Sequence, residues 1–186
     1  MSYVKNNIKK EFEALNRRFI VLLDVPAKNY FDSVMESANF VVEKEKKGVY
    51  VSVSRPFRYI SNEMQRRNIN MDNILFIDCI SAMAGEHDNG NEKCMFVKSP
   101  SALEEISINI TSLIDKIECD EKFLIMDSVS TLLIYNSMDS VKEFLLFLIK
   151  KLRLERVSGI IITVEKETSE EIKQILIEKC DKAIHV

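Results

Sequence analysis

Two kinds of apolar pattern alternate along the chain. Short, largely apolar runs lie at residues 19–23 (FIVLL), 49–53 (VYVSV), 74–77 (ILFI), 123–126 (FLIM) and 159–164 (GIIITV). Runs of this length, bounded by turn residues, read as strands buried on both faces. Such strands belong to parallel sheets covered by helices. Between them, apolar residues recur three and four apart, the period of an amphipathic helix. Residues 30–46 place Val34, Ala38, Val41 and Val42 on one face. Residues 56–67 open with Pro56, whose missing N–H suits a first helical turn. Residues 101–117 align Leu103, Ile106, Ile110, Leu113 and Ile117. Residues 140–155 carry a stripe of Phe144, Leu145, Leu148 and Leu152, widened by Phe147 and Leu154. A further helix is expected to end near Lys179.

Ser101-x-x-Glu104, Ser140-x-x-Glu143 and Thr168-x-x-Glu171 read as capping boxes that open the last three of these helices. Ahead of the first strand, Val4, Ile8, Phe12 and Leu15 make one stripe, which predicts an amphipathic helix laid against the sheet. A short last strand is expected at 183–186. The unbroken alternation predicts an α/β fold: a three-layer, doubly wound, mostly parallel sheet with right-handed crossovers. The 186 residues suit a single domain, with 1–18 as leading helix and 19–186 as core.

Composition narrows the function classes. A net charge of −3 argues against a general nucleic-acid or membrane-surface protein. No apolar run approaches the roughly 20 residues needed to span a bilayer. The first 18 residues lack the apolar core of a signal peptide, so a cytoplasmic location is expected. Cys79, Cys94, Cys119 and Cys180 form no C-x-x-C pair, which points to reduced cysteines rather than a zinc site or a disulfide framework. The polar stretch 84–93 (AGEHDNGNEK) reads as a loop and contains His87. The only other histidine is His185, and neither has a ligand set near it in sequence.

Asp24, Asp78 and Asp127 each end a predicted strand. Open α/β sheets bind ligands at the carboxyl ends of their strands. The three carboxylates suit either a cation site there or the turns that follow the strands. The strand, turn and helix at 19–33 stand where a phosphate-binding loop belongs. That loop needs glycines, so that backbone N–H groups face the phosphates, and a Lys followed by Ser or Thr. Residues 24–33 contain no glycine, and Asn29 follows Lys28. Asp24 and Asp32 would also set negative charge beside a phosphate. A free helix N-terminus still attracts anions, which keeps Lys28 and Asn29 as candidate nucleotide contacts. Ser128 and Ser130 lack the G-x-S-x-G context of a nucleophile elbow.

Three stretches carry a family resemblance: GVYVSVSRP at 48–56, NINMDNILFIDCIS at 68–81 and KFLIMDSVSTLL at 122–133. In this order and spacing they resemble the KaiC/RAD55-like branch of the RecA superfamily, widespread in archaea. The resemblance covers residues 19–186. It implies a P-loop NTPase-like core with sheet order 5-1-4-3-2, counting 19–23 as the first strand. It makes Asp127 the magnesium-associated residue of the Walker B strand, with Ser128 beside it at the nucleotide. The alternative for both is to stop the strand and cap the next turn. The chain also departs from the family. The Walker A glycines, Lys and Thr are absent, and the family's paired catalytic carboxylates fall on Ser54 and Arg55. Attack of water on a γ-phosphate needs a group that orients the water.

The expectation is therefore a non-catalytic RecA/KaiC-like domain, a regulatory or scaffold protein acting through protein contacts with no cofactor. The alternative is an ATP-binding ATPase with a non-standard phosphate loop, using ATP and Mg2+. The expected partner is a second copy or an active RecA-family relative. The expected contact surface includes Leu133, Tyr135, Met138 and Phe147, the alternative being burial of these residues under the leading helix.

Overall fold

The computed structural model describes residues 2–86 and 92–186. Among the described residues, seven strands form one sheet, and every pairing in it is parallel. In chain order they are β1 (Ile20–Val25), β2 (Lys47–Ser52), β3 (Ile74–Asp78), β4 (Cys94–Phe96), β5 (Lys122–Asp127), β6 (Ser158–Val164) and β7 (Lys182–His185). Across the sheet the order is β4-β3-β2-β5-β6-β1-β7. Strand β5 lies at the centre, between β2 and β6, and all but its first residue are buried.

Helices cover the two faces. Helices α1 (Ser2–Glu13), α2 (Tyr30–Glu43) and α3 (Phe57–Arg66) share one face. Helices α4 (Leu103–Lys116), α5 (Val129–Tyr135), α6 (Met138–Leu154) and α7 (Glu170–Lys179) share the other. Successive strand residues point to opposite faces, so each buried strand feeds both cores. In β5, Phe123 and Ile125 join Val34, Val41 and Phe12 on the α2 side, while Leu124 and Met126 join Leu145 and Leu148 on the α6 side.

The order departs from the expected 5-1-4-3-2. The Asp127 strand has the 47–52 and 158–164 strands as neighbours, not the 20–25 and 74–78 strands. Strand β3 is added outside β2, and β4 outside β3. The chain then returns through α4 to set β5 on the inner side of β2. Apolar runs of equal character do not reveal which neighbour they choose.

Several local expectations also shift. Strand β4 follows the polar stretch 84–93, and helix α5 follows the Asp127 strand; the apolar pattern marked neither element. Ser101 does not cap α4, which starts at Leu103 with Ala102 before it and no side-chain cap. Helix α6 starts before Ser140, and Ser137 accepts the Ser140 N–H as its cap. Ser169 rather than Thr168 caps α7. A neighbouring Ser offers the same oxygen one to three residues earlier or later, so the motif places a helix start only approximately. Helix α1 is shorter than the stripe suggested and lies on α2, with Ile8 and Phe12 buried. Of the loop at 84–93, His87 and residues 88–91 lie outside the described residues. No helix among the described residues is long and apolar enough to cross a membrane.

Candidate functional site

The carboxyl ends of the strands bring Asp24, Asp78 and Asp127 to one edge of the sheet, but not to one point. Asp24 accepts from Thr163 Oγ1 at 2.8 Å and from Lys173 Nζ of α7 at 2.9 Å. Its other neighbours are Glu165 and His185, and these three side chains lie close enough together to face one ion. The Lys173 ammonium already stands against Asp24. Asp78 accepts from the backbone N–H groups of Phe57 at 2.6 Å, Ile80 at 2.8 Å and Ser81 at 2.9 Å. Ser81 Oγ adds a fourth bond at 2.6 Å. Asp78 is thus the residue that ties the start of α3 to the turn after β3.

Asp127 has a different environment. It is 1% exposed. Its Oδ1 accepts from the Tyr30 hydroxyl, and its Oδ2 accepts from the Tyr50 hydroxyl. Ser54 Oγ lies 3.0 Å from the Tyr30 oxygen, and since the Tyr30 proton goes to Asp127, Ser54 is the donor. A chain of four polar groups therefore runs Ser54, Tyr30, Asp127, Tyr50. The elements that build it are the first turn of α2, the carboxyl end of β2 and the carboxyl end of β5. The register pairs Tyr50 with Ile125 and Ser52 with Asp127, so Tyr50 and Asp127 project on the same face, one pleat apart. Burial pushes the Asp127 carboxyl up to about 8 and the Tyr50 phenol upward as well. The phenol oxygens accept as well as donate, so the chain accommodates one more proton on Asp127.

Arg55 closes the same region. Its guanidinium carbon lies 4.2 Å from the Phe31 ring centroid, 5.4 Å from Tyr59 and 5.6 Å from Tyr30. Among the described residues, its Nη1 is buried without a hydrogen-bond partner. The aromatic faces supply the missing electrostatic contact. Arg67 also lies over the Phe31 ring, 5.5 Å from its centroid, and pairs with Asp32 at 2.8 Å.

Lys28 and Asn29 lie on a 3-10 turn, Ala27–Asn29, just before α2. Lys28 is exposed, and Asn29 makes no side-chain cap. Ser128 is buried directly after Asp127, and its Oγ lies 3.3 Å from Thr131 Oγ1. The peptide joining Asp127 to Ser128 is cis. Ser130 accepts from the Val164 N–H at 2.8 Å and holds Thr168 at 2.7 Å, which fastens α5 to β6. Tyr30, Tyr50 and the Arg55 cage did not stand out in the sequence. One signal was present: Tyr50 interrupts an aliphatic strand at the parity that faces α2.

The contact candidates divide. Leu133 is half-buried against the α6 core. Tyr135, Met138 and Phe147 are exposed, Phe147 to 50%. They lie in the helix layer opposite α1, so the leading helix does not cover them.

Comparison with known proteins agrees with this architecture. The family model described as "ATPase: KaiC" matches residues 36–186. No curated protein matches the chain in sequence. Among solved structures, the KaiC-like protein PH0186 of the hyperthermophilic archaeon Pyrococcus horikoshii superposes with a TM-score of 0.63 at 16% identity, over 90% of this chain and 70% of its own. The uncharacterized protein PH0321 of the same organism, solved with an unknown peptide, gives 0.65 at 11% identity, over 97% and 82%. The flagellar accessory protein FlaH of Methanocaldococcus jannaschii gives 0.56 at 11% identity, over 90% and 70%.

Proposed function

Starting from a chain that belongs to the KaiC ATPase family, we propose that it keeps the family's sheet but works through protein contacts, as a regulatory or scaffold domain without nucleotide chemistry. The observation that carries this reading is the occupation of both Asp127 oxygens by Tyr30 and Tyr50. A magnesium-associated carboxylate must face the metal or its water, whereas Asp127 is 1% exposed with each oxygen turned to a phenol. The side chains around it do not fit a magnesium-bound phosphate. The segment before α2 has no glycine to turn successive N–H groups inward, and Lys28 has no such loop to aim it. Ser54 and Arg55 stand where a water-orienting carboxylate pair would be, and Arg55 is held by three aromatic rings. In PH0321 a related fold is seen with a peptide, so contact with another chain has a precedent on this scaffold. Leu133, Tyr135, Met138 and Phe147 mark the face we assign to such contact.

The decisive experiment is calorimetric titration of the full chain with ATP and Mg2+ at millimolar concentration, beside a phosphate-release assay. We expect no saturable heat and no turnover above buffer, and no change in either with Lys28→Ala. Saturable binding, with turnover that Asp127→Ala abolishes, would establish instead the ATPase with a non-standard phosphate loop.

A further inference from the structure

Helix α6 presents a second stripe to solvent, opposite the one buried in the core. Ser140, Glu143, Phe147, Lys150 and Leu154 are all exposed and recur at spacings of three, four, three and four. That is the spacing of a helix seam that seats a second helix. Leu146 lies beside Phe147 and is also exposed, and Leu154 is 72% exposed. A soluble chain gains nothing from holding these apolar residues in water.

The charges along the seam indicate what covers it. On the seam itself the first half of α6 carries Glu143 and the second half carries Lys150, with Asp139 and Arg153 beside it and Lys142 paired to Asp139 and Glu171. Among the described residues, neither Glu143 nor Lys150 has an ion-pair partner, whereas Asp139, Lys151 and Arg153 do. Glu143 stands four residues before Phe147, and Lys150 stands three after it. A face with opposite charges at mirrored positions is complementary to itself when reversed. An open groove of about 660 Å³ adjoins the acidic half, lined by Leu103, Glu104, Glu105, Glu143, Phe144 and Phe147 among others. At the same end, Ile134, Tyr135 and Met138 of α5 and α6 are exposed, Ile134 to 76%.

We propose that α6 pairs antiparallel with α6 of a second copy of this chain, about a two-fold axis at Leu146 and Phe147. A two-fold contact uses the same patch on both subunits. In it, Glu143 meets Lys150 of the second copy, and the reverse pair forms on the other side of the axis. Phe147 of each copy enters the groove beside Phe144 of the other. Leu154 of each copy reaches the Ile134, Tyr135 and Met138 patch of the other. The opposed helix dipoles add to the attraction. The basic half of each α6 lies over the Glu104 and Glu105 rim of the other. A seam of 17 residues is roughly 25 Å long at 1.5 Å per residue. This pairing does not depend on whether the chain binds nucleotide.

The test is the solution mass of the full chain, 21.5 kDa as monomer, by sedimentation equilibrium at low salt. We expect wild-type dimer at micromolar concentration. Phe147→Asp should give monomer with an unchanged circular dichroism spectrum, since Phe147 is half-exposed and its loss leaves the core intact. Glu143→Lys alone, and Lys150→Glu alone, should each set like charges opposite and raise the dimer Kd by about tenfold. The double variant Glu143→Lys with Lys150→Glu should restore the wild-type Kd, because reversal of both charges rebuilds both pairs. The proposal is overturned by a wild-type chain that stays monomeric at several hundred micromolar. A dimer indifferent to Phe147→Asp, or single reversals that the double variant does not rescue, would overturn it equally.

Discussion

Replacement of Asp127 by Asn tests the buried polar chain directly. In the folded protein, burial pushes the Asp127 carboxyl up to about 8 from an ordinary value of 3.8. The folded state therefore holds a proton over a pH range in which the unfolded chain has lost it. Stability follows the difference in bound protons, so this carboxyl's contribution is full below about pH 4 and is lost as pH rises toward 8. Each pH unit is worth about 1.4 kcal/mol. The part of the window from pH 5 to pH 8 is thus worth about 4 kcal/mol. The Tyr30 and Tyr50 hydroxyls favour the ionised form, and each offsets about 1 kcal/mol of that. About 2 kcal/mol should remain. The amide of the Asp127→Asn variant has nearly the shape of the protonated acid and does not titrate. Relative to its difference from the wild type at pH 5, the variant should gain about 2 kcal/mol by pH 9. For a chain of this length that is about 4–8 °C in Tm. Urea unfolding followed by circular dichroism at pH 5, 6, 7, 8 and 9 reads the difference curve, in which every other titrating group cancels. Parallel curves, or a wild type that gains on the variant as pH rises, would refute the reasoning.

Two other substitutions probe the frame around the site. Gly48 lies between Ile74 and Phe123 in the sheet, and a Cβ there would meet the Phe123 carbonyl oxygen and come within 2.5 Å of the Phe123 ring. Gly48→Ala should cost about 3 kcal/mol or more, read as a fall in the urea midpoint at constant m-value. Asp78→Ala should strand three backbone N–H groups at the start of α3 and the turn after β3. We expect a loss of about 3 kcal/mol, with hydrogen exchange rising first at Phe57, Ile80 and Ser81.

The amino-acid sequence by itself determined the layers. Runs such as FLIM and GIIITV cannot be half-exposed, so they require helices on both sides. The helical stripes of residues 30–46 and 103–117 say which residues those helices bury, and Val34, Ala38, Val41, Ile106 and Ile110 are buried as read. Three ordered stretches were enough to place the chain in its family, because strand ends and the turns after them carry local constraints of conformation.

Other features were decided only by tertiary structure. The order of the strands follows from which apolar edge meets which, and parallel strands of similar composition carry no address for their neighbours. The capping serines shifted because any nearby hydroxyl serves once packing has set the helix axis. The surroundings of Asp127 came from three segments far apart in the chain, at Tyr30, Tyr50 and Ser54, and Asp127, joined only by register and by the docking of α2. In sequence, a strand-ending Asp followed by Ser reads the same whether its oxygens face a metal, a turn or two phenols. The hydrogen bond that settles its partner is made between elements that only folding brings together, so its energy leaves no periodic trace along the chain.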